Sequence, residues 1–423
     1  MTALPGRAEA LLAQMFWAAV ERASPRKCLV PFLPERPVGR TVVVGAGKAA
    51  AAMARVVEDT WSGPLSGLVI TRYGHAVQCG RIEVVEASHP MPDDAGARAT
   101  GRLLSAIHGL SSDDLVLCLL SGGGSALMPG PVDAISLADE RILTATLLRS
   151  GAPIADINCV RKHISSVKGG RLAQAAAPAR IVTLVISDVP GDDPSIIASG
   201  PTVADPTTRF DAMAVLDRYA PDAPAAVREW LLDPASETPK PGELERAECT
   251  VIATPALALE AAALRAAALG YAPLILGSAI EGEAREVAAA HAEIVRGIRD
   301  CGEPLAAPCV VLSGGETTVT VKGGGRGGRN TEFLLALAVA LDGAEGVSAL
   351  AADTDGIDGT ERNAGAVIGP ATLEKAAARA KSAPVSLADN DGYGFFEAVD
   401  GLFITGPTLT NVNDFRAILI DPI

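Results

Sequence analysis

The chain has 423 residues, long for a single hydrophobic core, so two domains are expected. Its formal charge of −14 argues against nucleic acid or an anionic membrane surface as the main partner, yet leaves room for an anionic small substrate held by a local cluster of Arg and Lys. Apolar residues make up 48% and aromatic ones 4%, a globular composition rich in Ala, Val and Leu, and no apolar run reaches the ~18 residues that a membrane span needs.

The seven cysteines are dispersed without a CxxC spacing, and Cys118 lies inside an apolar run that favours a reduced, buried thiol. Five scattered histidines give no metal-binding spacing, so a structural zinc site is not expected. Around Glu9 the N-terminus reads as an amphipathic helix and not as a secretory signal. A cytoplasmic protein is the expectation.

From residue 41 onward, apolar strand runs alternate with Ala-rich helical stretches. Residues 41–44, 67–71, 82–86, 114–120 and 181–186 read as strands, with helices at 48–58, 95–108, 137–150 and 166–177. That order is the pattern of βαβ units around a parallel sheet. A polar, Pro-containing stretch around residues 221–248 marks a domain boundary near residue 240, giving domains 1–240 and 241–423. The second part restarts with strands at 249–253, 272–275 and 309–313, and helices at 255–269, 282–299 and 330–341. Strands at 347–352 and 401–405 follow, and 317–321 could pair antiparallel beside 309–313 to make that sheet mixed. No repeat of 20–50 residues is evident.

Five segments carry the chemistry. The first is VVVGAGKAAAAMA, in which a buried strand ends at Gly45 and Gly47 opens a helix. As G-x-G-x-x-A it resembles a dinucleotide fingerprint, but the next strand ends at Arg72 and not at an acidic residue. Lys48, an ammonium in the first turn, opposes the helix macrodipole unless an anion lies between them. The second is SGGGS, where Gly122, Gly123 and Gly124 between Ser121 and Ser125 bare a backbone loop against which a phosphate can lie. No Walker A pattern occurs in the chain. The third, INCVRKHISSVKGGRLA, concentrates Arg161, Lys162, His163, Lys168 and Arg171 in an acidic protein, either as a solvated face or as an anion site.

The fourth segment follows the strand at 181–186. There Asp188, Asp192, Asp193 and Asp205 sit among glycines at a strand's carboxyl end, which suits a hard cation and a phosphate. The fifth opens with a second SGG turn, Gly314 and Gly315 before Glu316, and ends in GGGRGGRN around Arg326, Arg329 and Asn330. A glycine loop of that kind is expected to be mobile and to present a guanidinium to phosphate. The later run ADTDGIDG lacks the spacing and Glu of a calcium loop.

Together, GAGKAA, SGGGSAL, NCVRKHIS, SDVPGDDPSIIASGPT, SGGETTV, GGRNTE, TDGIDG and GPTLTNVND resemble the glycerate 2-kinases whose C-terminal half is called the MOFRL domain, in that family's order and over nearly the whole chain. The resemblance implies an α/β fold: a Rossmann-like α/β/α N-terminal domain, a second α/β domain with a mixed sheet, and an active site in the cleft between them. It implies transfer of the ATP γ-phosphoryl to the 2-hydroxyl of D-glycerate, with Mg²⁺. It marks Lys48, Asp188 and Arg326 as catalytic, and Asp188 and Asp192 as metal ligands or base. Nucleotide contacts are expected from Gly45, Gly47, the loop 121–125, Lys168, Gly314, Gly315 and Glu316. The substrate carboxylate is expected on Arg161 or Arg329, near Asn330. Neither nucleic acid nor membrane is an expected partner, and a homodimer is a candidate assembly. An NAD(P)-dependent hydroxypyruvate reductase is the alternative reading. Two positions depart from the family pattern: Leu409 stands where Gly is commoner, and Gly392 where Ser is.

Overall fold

The computed structural model describes residues 6–422, which fall into two compact units. Pro25–Ile252 form one, and the described residues up to Ser24 join those from Ala253 onward in the other.

In the first unit, β1 (Thr41–Ala46), β2 (Leu65–Arg72), β3 (Ile82–Ala87), β4 (Leu115–Leu120), β5 (Arg180–Ile186) and β6 (Ala247–Ala253) form one sheet in the order β3-β2-β1-β4-β5-β6. The pairings among β1 to β5 are parallel. All residues of β1 and β4 are buried, which is why these segments read as unbroken apolar runs without alternation. In this order the connections reverse direction between β1 and β4, and open α/β sheets bind ligands beyond the carboxyl ends of the strands at such a point. A second core in the same unit is built mainly from helices. Leu143, Leu147, Val160, Ile164, Leu216, Val227 and Leu231 meet there, and Ile154–His163 is one of the helices that build it.

The second unit contains β7 (Ala272–Gly277), β8 (Gly282–Glu283), β9 (Cys309–Gly315), β10 (Thr317–Thr318), β11 (Val347–Asp353), β12 (Gly365–Ile368), β13 (Leu402–Phe403) and β14 (Asp414–Ile420). Its main sheet has the order β13-β12-β11-β14-β9-β7. β14 runs antiparallel to both β11 and β9, whereas β7 is parallel to β9, so the sheet is mixed as expected.

Several boundaries differ from the sequence reading, each for a visible reason. The division falls at Ile252 and not near residue 240, because the strand expected to open the second domain is the sixth strand of the first sheet. The N-terminal helix Arg7–Ala23 belongs to the second unit, where Phe16 meets the rings of Phe403 and Phe415 edge-on. The mixed character comes from β14 and not from residues 317–321; β10 pairs with β8, in parallel, as a separate ribbon. The helix read at 166–177 is shorter, Arg171–Ala176, because residues around the Lys168-Gly169-Gly170 turn fold back on the loop at Ser199 and Gly200.

Among the described residues no helix is long and apolar enough to cross a membrane. All seven cysteines are free.

Candidate active site

The carboxyl ends of β1 and β4 are knitted into one surface. The Lys48 amide donates to the Gly122 carbonyl at 2.9 Å, the Ala49 amide to Ser121 Oγ at 2.9 Å, and the Ser121 amide to the Ala46 carbonyl at 3.2 Å. Gly47 makes this approach possible: at φ +144° it has no side chain, and a Cβ there would lie 2.1 Å from Ser121 Oγ. Lys48 is half-buried in the turn that leads to the helix Ala50–Thr60, so its charge sits beside the helix N-terminus and the three-glycine loop. An anion between them would relieve the conflict between ammonium and macrodipole.

Ser125 does not cap a helix. Its Oγ lies 2.8 Å from Ser199 Oγ, and Ser199 Oγ donates to Asn158 Oδ1 at 3.1 Å. This chain ties the glycine loop to the β5 loop and to the helix Ile154–His163. The sequence reading had not singled out Ser199 or Asn158, although both lie inside motifs it quoted.

β5 ends at Ile186, and Asp188 follows, half-buried. The loop beyond it is strained: Asp192, Ala198 and Ser199 adopt φ of 54°, 51° and 60°, left-handed values that cost residues with a β-carbon. Asp192 Oδ1 is buried without a hydrogen-bond partner among the described residues. A carboxylate oxygen so placed fits a cation such as Mg²⁺, which commonly takes one or two carboxylates and completes its shell with phosphate and water. Among the described residues no group of three or more His, Cys, Asp or Glu is arranged to hold a metal.

The basic segment divides by partner. Lys162 is buried in an ion pair with Asp205 at 3.3 Å, and Lys168 in one with Glu140 at 3.1 Å. The ammonium expected on nucleotide phosphate at Lys168 is thus engaged inside the fold. Arg161 differs, for its half-buried guanidinium makes no hydrogen bond or ion pair with any described residue. Burial lowers its pKa, opposed by the more distant Glu140 carboxylate. Desolvated and still able to donate, it is suited to a carboxylate or a phosphate.

In the second unit, Arg329 is saturated by Glu316 at 2.6 Å, Asp353 at 2.9 Å and Asp414 at 2.8 Å. Burial acts to lower its pKa, but Asp414, Asp353 and Glu316 overcome that and hold it above the ordinary arginine value. Asn330 donates through Nδ2 to Asp414 at 2.8 Å, and its amide donates to Asp358, which also accepts from the Thr331 amide. Asp358 therefore closes the start of the helix Arg329–Leu341; the acidic run is a cap and not a calcium loop. Gly314 and Gly315 end β9 against Ile280, whose amide donates to the Gly314 carbonyl at 3.0 Å.

Arg326 is exposed, stacked at 4.7 Å over Tyr393, with loose ion pairs to Glu397 at 3.5 Å and Glu361 at 3.7 Å. Its loop is not the free glycine flap of the sequence reading. Every amide from Lys322 to Arg326 donates to Asp389, Asn390 or Asp391, so the segment is clasped while the guanidinium at its tip stays accessible.

The structure thus brings Lys48, the loop 121–125 and Asp188 to the carboxyl ends of three adjacent strands of one sheet. Comparison with known proteins places the chain in a family. The model of a domain of unknown function, DUF4147, matches residues 11–232, and that of the MOFRL family matches 309–414. An Agrobacterium vitis protein named as a hydroxypyruvate reductase is 55% identical over 98% of this chain and 94% of its own. The D-glycerate 2-kinase of Thermotoga maritima is 38% identical over 95% of this chain and 96% of its own. A crystal structure of glycerate kinase from Thermotoga maritima, 38% identical, superposes with a TM-score of 0.91, covering 98% of this chain and all of that one. On that kinship over nearly its full length, the chain belongs to the glycerate kinase family built from the DUF4147 and MOFRL domains.

Proposed function

We propose that the chain is an ATP-dependent glycerate 2-kinase, transferring the γ-phosphoryl of ATP to the 2-hydroxyl of D-glycerate to give 2-phosphoglycerate and ADP. The observation that carries this reading is the joining of the Lys48 turn to the three-glycine loop where the strand order reverses. Phosphoryl transfer asks a protein mainly for alignment and positive charge, and that surface offers bare amides beside an ammonium.

In the proposed mechanism, nucleotide phosphates lie against the loop 121–125, Lys48 meets the charge of the moving phosphoryl group, and Arg326 is proposed as a further catalytic cation. Asp188 accepts the proton of the 2-hydroxyl. Mg²⁺ would be held by Asp192 with Asp188 beside it, and would neutralise phosphate charge when bound; the orphaned Oδ1 of Asp192 supports that division of roles. Arg161 is preferred over Arg329 for the glycerate carboxylate, because Arg329 already answers three carboxylates. We assign Lys168 to holding Glu140 inside the fold. A cytoplasmic location suits seven free cysteines.

The alternative, a hydroxypyruvate reductase, draws on two observations: the strand order is shared with dinucleotide-binding sheets, and β2 ends at Arg72. Shared fold does not decide function. One assay separates the two. D-glycerate, Mg²⁺ and ATP, coupled through enolase and pyruvate kinase without a mutase, should yield pyruvate at the full rate of ATP use. Signal only after mutase is added would make the enzyme a 3-kinase. Oxidation of NADH or NADPH by hydroxypyruvate without ATP would make it a reductase.

A further inference from the structure

His89 follows β3, an outer strand of the first sheet, two places away from β1 and three from β4. Its imidazole nevertheless reaches the glycine loop at the end of β4. A Cβ built on Gly123 would lie 2.9 Å from His89 Cδ2 and 3.0 Å from its Nε2, so the ring presents its nitrogen-bearing edge to the middle of that loop. Gly123 has φ +82°, and the histidine occupies the space that the missing side chain leaves.

The segment that delivers the ring is fixed independently. Asp93 accepts from the Gly96 amide at 2.9 Å and from the Tyr73 hydroxyl at 2.8 Å, and the Ser88 amide donates to it as well. Burial acts to raise the Asp93 pKa, but those donors outweigh it and keep the carboxyl below its usual value. Arg141 Nε donates to the Pro92 carbonyl at 2.7 Å, closing the far side of the same segment. A loop pinned at both ends carries a half-buried histidine across the face of the sheet to one place, the bare backbone of Gly123.

Resting on the reading of loop 121–125 as the phosphate seat, we infer that His89 is a nucleotide-binding residue whose Nε2–H donates a hydrogen bond to a phosphate oxygen of ATP on that loop. No bond is made or broken in this contact. The imidazole supplies a side-chain donor beside the bare backbone of Gly123, in addition to the loop's own amides.

The test uses the full-length enzyme with two variants. His89→Phe keeps a planar ring against Gly123 and loses the donor; His89→Gln restores a donor. A hydrogen bond to a charged group corresponds to a loss of roughly 10-fold or more in affinity. His89→Phe should therefore raise KM for ATP by ~10-fold or more with KM for D-glycerate and the melting temperature little changed, and His89→Gln should recover most of the loss. An unchanged KM for ATP in His89→Phe, or a change falling on D-glycerate alone, overturns the proposal. Should His89→Phe fail to fold, His89→Gln decides alone: an ATP affinity near that of the parent supports the donor role, and a loss as large as that of complete donor removal overturns it. Hydrogen exchange of the parent with and without ATP separates the two levels. Unprotected amides at 121–126 would sink the phosphate seat and His89 with it, whereas protected amides with an indifferent His89→Phe would sink His89 alone.

Discussion

Two aspartates that follow β5 have different surroundings. Asp188 stands at the end of β5 by the glycine loop, and Asp205 lies fully buried against Lys162, Thr207 and Thr238. Removing Asp205 leaves a buried ammonium and two hydroxyls without their acceptor, a loss on the order of 3–5 kcal/mol for a broken buried pair. Asp205→Ala should therefore lower the melting temperature by roughly 6 °C or more. Asp188→Asn should leave melting nearly unchanged and abolish most turnover, alongside a drop of about 100-fold or more in kcat for Lys48→Ala. Thermal melts and initial rates on the same preparations check both, and reversed outcomes would exchange the roles of the two aspartates. Leu409 is a second residue with a readable cost. It holds φ 63°, and that conformation costs a residue with a β-carbon roughly 1–2 kcal/mol. Glycine there gives back ~0.5–1 kcal/mol through a looser unfolded chain. Leu409→Gly is expected to melt at the same temperature or up to ~4 °C higher. A clear fall would show that packing of the leucine outweighs its backbone strain.

At the scale of elements, the glycine loop before Arg329 is built by close approach and not by freedom. A Cβ on Gly325 would lie 2.5 Å from Asp391 Cβ and 2.6 Å from the Asp389 carbonyl oxygen, whereas one on Gly324 would meet nothing within 4 Å. Gly325→Ala must lift the loop off its clasp and displace Arg326, and a shift of ~1 Å in a positioning group can cost about 100-fold in rate. The expected result is a large fall in kcat for Gly325→Ala with Gly324→Ala close to the parent. Equal behaviour of the two would mean that the clasp does not position Arg326. Gly392 sits in the same clasp, where a Cβ would come within 2.9 Å of Thr331. Sequence alone could read the strands buried on both faces, because such strands are continuous apolar runs, and it could read strand-end glycines for the same reason. It missed β14, whose DFRAILI carries Arg416 in a buried strand. That charge is met by Asp414 at 2.8 Å, two residues away, and stacks over Phe333. It also missed the helix Ile154–His163, since Lys162 and His163 find Asp205 and Glu237 only through the fold. Partner choice explains the binding residues too: nothing in the sequence says that Arg329 pairs with three carboxylates, whereas Arg161 pairs with none among the described residues.

At the scale of the whole molecule, the chain begins in one compact unit, builds the other, and returns. The first helix is an integral part of the unit that contains the C-terminus. Leu12, Met15, Phe16 and Ala19 are all fully buried, Phe16 lies 5.1 Å from Phe403 and 5.8 Å from Phe415 between ring centres, and Thr410 Oγ1 donates to the Ala23 carbonyl at 2.7 Å. Burying one large apolar side chain stabilises by about 1.5–3 kcal/mol, so the helix contributes an amount comparable with the roughly 5–15 kcal/mol that separates a typical domain from its unfolded state. Residues 253–423 produced alone should consequently lack a cooperative melt and bind a dye for exposed apolar surface. A synthetic peptide of residues 1–24, added in trans, should restore the melt in a concentration-dependent way, since a partner that binds only the folded state stabilises it by mass action. Phe16→Ala in the full chain should lower stability by about 3–5 kcal/mol through the cavity left between Phe403 and Phe415. A segment 253–423 that melts cooperatively at the temperature of the full chain would show that the returning strands close their core without the helix.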